Sequence, residues 1–174
     1  QYEMGYSNII NMLDLAGIPK LSAQRREGDP FVVAGGPCAY NPEPLADIVD
    51  FFMLGEGEEQ MLEVMDVYRQ WKTRGLKREE FLDMVSAVPG VYVPVFYDVK
   101  YNEDGTIESI KPSKEGIPSK VKKRIIKDLN NAYFPDKIIV PYIDIVHDRI
   151  MLEIFRGCTR GCRFCQAGMV SSPV

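Results

Sequence analysis

Apolar residues recur every three or four positions in several segments, the spacing that places them on one face of a helix. The strongest case has Glu58 and Glu59 at its start, where they suit the positive end of the helix dipole, and Gly75 at its stop. One apolar face is predicted there, formed by Met61, Leu62, Val64, Met65, Tyr68 and Trp71. Helices are predicted over residues 8–16, 58–74 and 78–85, and Pro44, which suits a first turn, predicts a short one over 44–49.

Two short, mostly apolar segments lie between these helices. Residues 30–34 and 50–54 are each followed by a glycine-containing turn, and both are predicted to be buried strands. Strands that alternate with helices are typical of a parallel sheet. The predicted fold class is therefore α/β, with about half of a doubly wound parallel sheet in residues 1–88.

The next part of the chain, residues 89–148, is predicted to be a β-rich connector that starts with the apolar run from Gly90. Residues 99–110 predict a hairpin that turns at Asp104 and Gly105. Further strands are expected over 121–129 and, directly before a cysteine-rich loop, 150–155, and Pro135 and Pro141 bound the apolar run 138–140.

The two glycine-containing turns allow two interpretations. Gly35 and Gly36 precede Pro37, and Gly55 and Gly57 flank Glu56. Parallel α/β folds bind ligands at such turns, at the carboxyl ends of their strands. A strand-to-helix turn also needs glycine for its backbone conformation alone. Each turn is therefore either a candidate cofactor-binding site or a turn whose glycines serve only the backbone conformation.

Composition and charge narrow the function classes. Of the 174 residues 45% are hydrophobic and 26% are charged, and the net charge is −4. This balance does not predict a nucleic-acid-binding surface. The basic run of Lys120, Lys122, Lys123, Arg124 and Lys127 is expected to form a solvated face. No apolar run reaches the roughly 20 residues of a membrane span, and no secretory signal is present, so a cytoplasmic location is expected.

Three cysteines near the end of the chain carry the most specific chemical signal. Cys158, Cys162 and Cys165 form Cys-x-x-x-Cys-x-x-Cys, with Phe164 directly before the third. Three thiolates on one short loop can hold three irons of a 4Fe–4S cluster and leave the fourth iron open to a small molecule. The motif therefore predicts an iron–sulfur site.

Other interpretations of the cysteines are weaker. A structural zinc site usually has four ligands in two pairs, and here it would need the distant Cys38 or His147. A ferredoxin site would have a fourth cysteine near the others. Disulfides would leave one of three clustered cysteines unpaired, and nothing marks an oxidising compartment.

The residues around the cysteines favour metal binding. Arg156, Arg160 and Arg163 lie among them, and nearby positive charge stabilises thiolates and offsets the charge of a thiolate-ligated cluster. Gly157 and Gly161 permit the tight backbone of a loop that wraps a cluster. Each arginine also has an alternative role, facing solvent or substrate.

The cysteine spacing and Phe164 resemble the signature of the radical S-adenosylmethionine (radical SAM) superfamily. The resemblance implies that Cys158, Cys162 and Cys165 ligate a 4Fe–4S cluster and that Phe164 packs near the adenine of S-adenosylmethionine. It implies an enzyme that cleaves S-adenosylmethionine reductively, with an electron donor such as flavodoxin or ferredoxin. The reaction and its substrate stay unknown.

Residues 2–76, with their two glycine turns in this order ahead of the cysteine motif, look like the Rossmann-like, cobalamin-binding-like domain that precedes many radical SAM barrels. The pattern as a whole is most similar to a branch of these radical SAM proteins to which no function is assigned. The resemblance leaves cobalamin open as a cofactor of the full-length protein. Many members have histidine where this chain has Cys38, and the chain lacks the Asp-x-His-x-x-Gly motif that supplies histidine to cobalt.

The chain starts at Gln1 and stops at Val174, so we interpret it as an internal piece of a larger enzyme, itself inactive, in which residues 149–174 start a barrel. Two alternatives are kept: a non-catalytic zinc or iron module, and a radical methylthiotransferase, which would need three further cysteines. Cys38 is expected to be a small buried residue, and His147 to have a structural role.

Overall fold

The structure, a computed structural model, describes residues 2–146 and 149–170. These residues fall into two compact units, the first of which ends at Ile125 and the second of which begins at Ile126. Among the described residues, no helix combines the length and the apolar character needed to cross a bilayer.

The first unit is an α/β fold around a three-stranded sheet. Strand β1 (Val33–Gly35) pairs in parallel with β2 (Phe51–Met53), and β3 (Val91–Tyr92) pairs antiparallel with β2 on its other side. The expectation of a purely parallel sheet is therefore wrong, although the α/β class is confirmed. Two helices, α2 (Gly57–Arg74) and α3 (Arg78–Ser86), separate β2 from β3. A single helix would return the chain to the amino end of β2, whereas two helices return it to the carboxyl end, so β3 runs the opposite way.

Helix α2 forms where the sequence predicts it. It carries acidic residues in its first turn and basic residues in its last, and Gly75 ends it in the left-handed conformation at φ +62°. The predicted apolar face is wrong in part, because Leu62 is 64% exposed and Met61 also faces solvent. The packed face runs through Gln60 and Val64, both buried, towards Trp71. Apolar spacing therefore predicts where the helix lies, but it does not determine which face of the helix packs against the sheet.

The alternation of side chains along β2 divides the core in two. Phe51 and Met53 pack with the buried face of α2 and with α3, and Phe52 packs with Tyr92 on the opposite face of the sheet. The helix α1 (Tyr6–Leu15), which confirms the one predicted near residues 8–16, contributes Tyr6 and Ile9 to that second cluster. Burial of each large apolar side chain stabilises the fold by about 1.5–3 kcal/mol.

A buried ion cluster joins three distant parts of the first unit. The carboxylate of Asp50, with a side chain 2% exposed, accepts hydrogen bonds from Arg25 Nη1 at 2.9 Å and from the Val32 amide at 2.6 Å. Its other oxygen lies 2.8 Å from Nη2 of Arg78, whose guanidinium stacks on the Phe31 ring at 3.9 Å. Burial lowers the pKa of Arg25, and the charge of Asp50 opposes that shift.

The β-hairpin predicted over residues 99–110 is confirmed. Strands β4 (Tyr97–Tyr101) and β5 (Ile107–Pro112) pair antiparallel. Gly105 has φ +82° in the turn, and Oδ1 of Asp104 accepts the Thr106 amide hydrogen bond at 2.9 Å.

Three other expectations for the first unit need correction. The strand expected over 30–34 starts only at Val33, and as the edge of the sheet it leaves Val33 43% exposed instead of buried. The helix expected over 44–49 is a single 3-10 turn, Glu43–Leu45. In place of a strand over 121–129, Arg124 makes one isolated parallel bridge to Gly55.

The described part of the second unit contains a 3-10 turn, Leu129–Asn131, and the short helix α4 (Gln166–Val170). The strand expected over 150–155 is absent from it, and the apolar side chains of 138–140 and 150–155 are exposed. A strand is stable only against a neighbouring strand, and the described residues of this unit supply none.

Tyr92 predicts a loss of stability at alkaline pH. Its side chain is 7% exposed, and its hydroxyl donates a 2.6 Å hydrogen bond to Glu43. Burial first, and then this bond to a carboxylate, raise the pKa of Tyr92 strongly. Above about pH 10 the unfolded chain loses the tyrosine proton while the folded chain keeps it, so the free energy of unfolding falls by about 1.4 kcal/mol per pH unit.

Urea unfolding at pH 8 and at several values above pH 10 tests this. Tyr92→Phe is expected to show a shallower decline than the unmodified protein, whereas Tyr101→Phe, at an exposed hairpin position, serves as the matched control. Equal slopes for all three proteins would contradict the assignment.

Candidate functional site

The cysteine loop lies in the second unit and ends at a helix. Gly157 and Gly161 have φ +85° and +62°, values that other residues rarely adopt, so both glycines that were predicted to shape the loop do so. The Cys165 amide donates a 3.0 Å hydrogen bond to the Cys162 carbonyl and closes a turn, after which α4 begins. Two of the three cysteines therefore flank one tight turn.

All three thiols are free. Cys158 and Cys162 are exposed and Cys165 is half-buried, and none is in a disulfide. Among the described residues, no group of three or more Cys, His, Asp or Glu side chains lies close enough to hold a metal ion. The structure thus places the cysteines on one accessible loop and does not gather their sulfurs into a ligand set.

The chemistry of these donors fits an iron–sulfur cluster. Three thiolates are the ligands that such clusters use, and free, accessible thiols can reach an incoming metal. The flanking glycines allow the backbone to adjust around a bound group. The agreement between these residues and an iron–sulfur cluster rests on the three thiol donors and on the conformation of the loop backbone.

The three arginines differ in their surroundings. Arg156 donates from Nε and Nη2 to the two carboxylate oxygens of Glu153, each at 2.8 Å, and this pair lowers the pKa of the Glu153 carboxyl. The Arg160 and Arg163 side chains are exposed, on the same loop as the thiols. The charge of Arg156 is already balanced locally, so Arg160 and Arg163 are the better candidates to offset a negative cluster.

Phe164 and His147 are the remaining residues singled out near this loop. Phe164 is 92% exposed, between Cys162 and Cys165, so its ring is accessible to a ligand. His147 lies outside the described residues.

The four predicted cofactor glycines lie in the first unit, at the carboxyl ends of β1 and β2. Gly35 ends β1 opposite Met53, the last residue of β2, and Gly55 follows two positions later. Gly36 has φ +87°, and Gly57 begins α2. The structure therefore brings both turns to the carboxyl ends of neighbouring strands, as the sequence predicts. Cys38, in the 3-10 turn after Gly36, is half-buried instead of buried.

Gly55 has a structural reason to be glycine that the sequence did not reveal. Its φ is +109°, and a Cβ atom there would overlap the backbone of Arg124. Gly36 and Gly57 have open space where a Cβ would lie. Arg124, expected with its basic neighbours to lie on a solvated face, instead packs its backbone against Gly55 and pairs with acidic side chains of α2. The sequence did not show these contacts because they join residues far apart along the chain, and Gly90, which has φ +87° at the same place, was missed for the same reason.

Two comparisons with known proteins find similarity. The family model described as "Radical SAM proteins, N-terminal" matches residues 1–94. An uncharacterized protein of Methanocaldococcus jannaschii is 30% identical over 176 residues, a match that covers 99% of this chain and 30% of that protein. The chain thus spans less than a third of the length of this relative. No solved structure gives a significant match.

Proposed function

We propose that this chain, which belongs to the radical SAM proteins that share this N-terminal domain, carries the cluster-binding loop of an enzyme that cleaves S-adenosylmethionine reductively. Cys158, Cys162 and Cys165 would hold a 4Fe–4S cluster. One observation carries the proposal: three free thiols on a glycine-shaped loop have the spacing that leaves one iron open, within a chain of this family.

A bound cluster of this kind supplies a site for S-adenosylmethionine at the open iron and an electron that breaks a carbon–sulfur bond to start radical chemistry. The chain's own residues would prepare the site. Arg160 and Arg163 would balance the negative charge of the thiolate-ligated cluster. Phe164 would offer its exposed ring to the adenine.

Three further features belong to the proposal. The remaining wall of the S-adenosylmethionine pocket would come from a barrel, of which residues 149–174 would be the start. A one-electron donor such as flavodoxin or ferredoxin would reduce the cluster, in the cytoplasm. The domain division into residues 1–88, 89–148 and 149–174 also stays a prediction.

Two alternatives differ from this proposal in cysteine and metal use. A radical methylthiotransferase would need three further cysteines, and Cys38 is the only other one in the chain. A non-catalytic zinc module would use the same three thiols with a fourth ligand. Metal content therefore separates the second alternative from the enzyme.

Anaerobic reconstitution with iron and sulfide tests the function, in the chain and in a longer protein that contains it. Electron paramagnetic resonance of the reduced sample would be recorded with and without S-adenosylmethionine. We expect a reduced-cluster signal that shifts when S-adenosylmethionine is added, because an open iron changes its ligands. Tight zinc binding with no iron uptake in either protein would overturn the proposal and leave a structural metal module.

A further inference from the structure

The carboxyl end of β2 is filled by the chain's own backbone. After the hairpin, the chain returns to the carboxyl end of β2 in a segment, residues 121–125, that we name the strap. The Arg124 amide donates to the Leu54 carbonyl at 2.8 Å, and the Glu56 amide donates to the Arg124 carbonyl at 3.1 Å. The strap thus satisfies backbone groups on both sides of Gly55.

Two glycines make this docking sterically possible. A Cβ at Gly55 would overlap the Arg124 backbone, and a Cβ at Gly90 would lie 2.8 Å from the Leu54 carbonyl oxygen and 3.2 Å from the Arg124 amide nitrogen. The first distance is shorter than real side-chain Cβ atoms adopt, and the second would require the Arg124 backbone to shift by a few tenths of an ångström. Both residues also have positive φ, which glycine adopts without strain. Three backbone segments, those of Gly55, Gly90 and Arg124, therefore lie in close contact at this place.

The side chain of Arg124 holds the strap along α2. Its Nη2 lies 2.9 Å from Glu59 Oε2 and 2.7 Å from Glu63 Oε1. Hydrogen bonding to Glu59 is the largest cause that raises the pKa of Arg124. These ion pairs are partly exposed, so they contribute modestly and weaken with salt. The strap is therefore fixed by backbone bonds and close packing, with an electrostatic contribution that salt can reduce.

Doubly wound sheets bind their ligands in the crevice beyond the carboxyl ends of their strands. At β2 the strap hydrogen-bonds the backbone of Leu54 and Glu56 at this end of the strand, and a cobalamin seated on the turn of Gly55, Glu56 and Gly57 would need the same place. We infer that the strap and cobalamin compete for the carboxyl end of β2. In the free chain, this turn binds the strap.

The competition has a consequence for the chain that follows. The strap ends at residue 125, and Ile126 is the first residue of the second unit. A ligand that displaced the strap would release the segment that leads directly into that unit. Docking involves none of the three cysteines of the loop, so this inference and the cluster proposal can fail independently.

Hydroxocobalamin is the probe for the test, with binding followed by equilibrium dialysis and strap docking by hydrogen exchange at the Glu56 and Arg124 amides. We expect both amides to be protected in the free chain. Hydroxocobalamin should either fail to bind at micromolar concentrations or bind with loss of that protection. Binding with full protection, or unprotected amides in the free chain, would overturn the inference.

Glycine variants give the sharpest comparison. Gly55→Ala introduces the overlap with Arg124 and should speed exchange at the Arg124 amide by roughly tenfold or more. Gly57→Ala, two positions along, enters open space and should leave that rate unchanged. Equal rates in the two variants would contradict the docking.

Arg124→Ala provides an independent variant, should Gly55→Ala unfold the domain. Loss of the ion pairs to Glu59 and Glu63 should speed exchange at the Glu56 amide by roughly three- to tenfold at low salt, and less at high salt. Lys122→Ala removes the same charge from an exposed position of the strap and should have no effect. An Arg124→Ala protein that exchanges as slowly as the Lys122→Ala protein would contradict the proposed role of the side chain.

Discussion

Replacement of Cys162 by alanine is expected to remove the reconstituted cluster completely. Cys162 is the middle cysteine of the motif, and if the three thiols ligate the cluster as proposed, the two that remain cannot hold three irons of it. Iron and acid-labile sulfide, assayed per chain after anaerobic reconstitution, should fall from about four each to near zero. Cys158→Ala and Cys165→Ala should behave in the same way.

Cys38→Ala is the matched control, because Cys38 is the fourth cysteine of the chain and lies outside the motif, in the first unit. It should keep the full iron content. A Cys162→Ala protein with a complete cluster would refute the ligand assignment. A cluster lost in Cys38→Ala would show that this fourth cysteine takes part.

Asp50→Ala is expected to destabilise the first unit more than any other single change that removes a charge there. The carboxylate is contacted by two guanidinium groups and one backbone amide, and its side chain is 2% exposed. Its removal leaves Arg25 and Arg78 buried without their ion-pair partner. Breaking a buried pair in this way costs about 3–5 kcal/mol.

The free energy of unfolding, measured by urea titration, checks this expectation. Asp47→Ala is the control, because Asp47 is exposed three positions earlier and should change stability by less than about 0.5 kcal/mol. Asp50→Asn keeps the shape and part of the hydrogen bonding, so its cost should lie between the two. Equal stability of the Asp50→Ala and Asp47→Ala proteins would mean that the buried cluster contributes no net stability.

Asp50 also shows where sequence patterns stop being informative. It directly precedes the apolar run of β2, a position that by itself marks only the start of a strand. Its partners lie 25 and 28 residues away along the chain, and nothing in their local sequence distinguishes them from surface arginines. A charge network assembled from three separate segments has no periodic signal.

The sequence was sufficient for features whose causes are local. Helix α2 follows from its apolar spacing, its end charges and Gly75, and the hairpin follows from Asp104 and Gly105. The cysteine spacing, together with Phe164, was sufficient to identify the superfamily, which the family match supports. In each case the residues that decide the feature lie within a few positions of one another.

Only the tertiary structure decided the features that depend on distant contacts. The direction of β3 depends on the return path of two helices, and the requirement for glycine at Gly55 depends on Arg124, 69 residues later. The apolar runs over 138–140 and 150–155 remain unpaired among the described residues, because a strand exists only with a neighbour. Spacing along the chain determines local conformation, and pairing between segments depends on which surfaces meet.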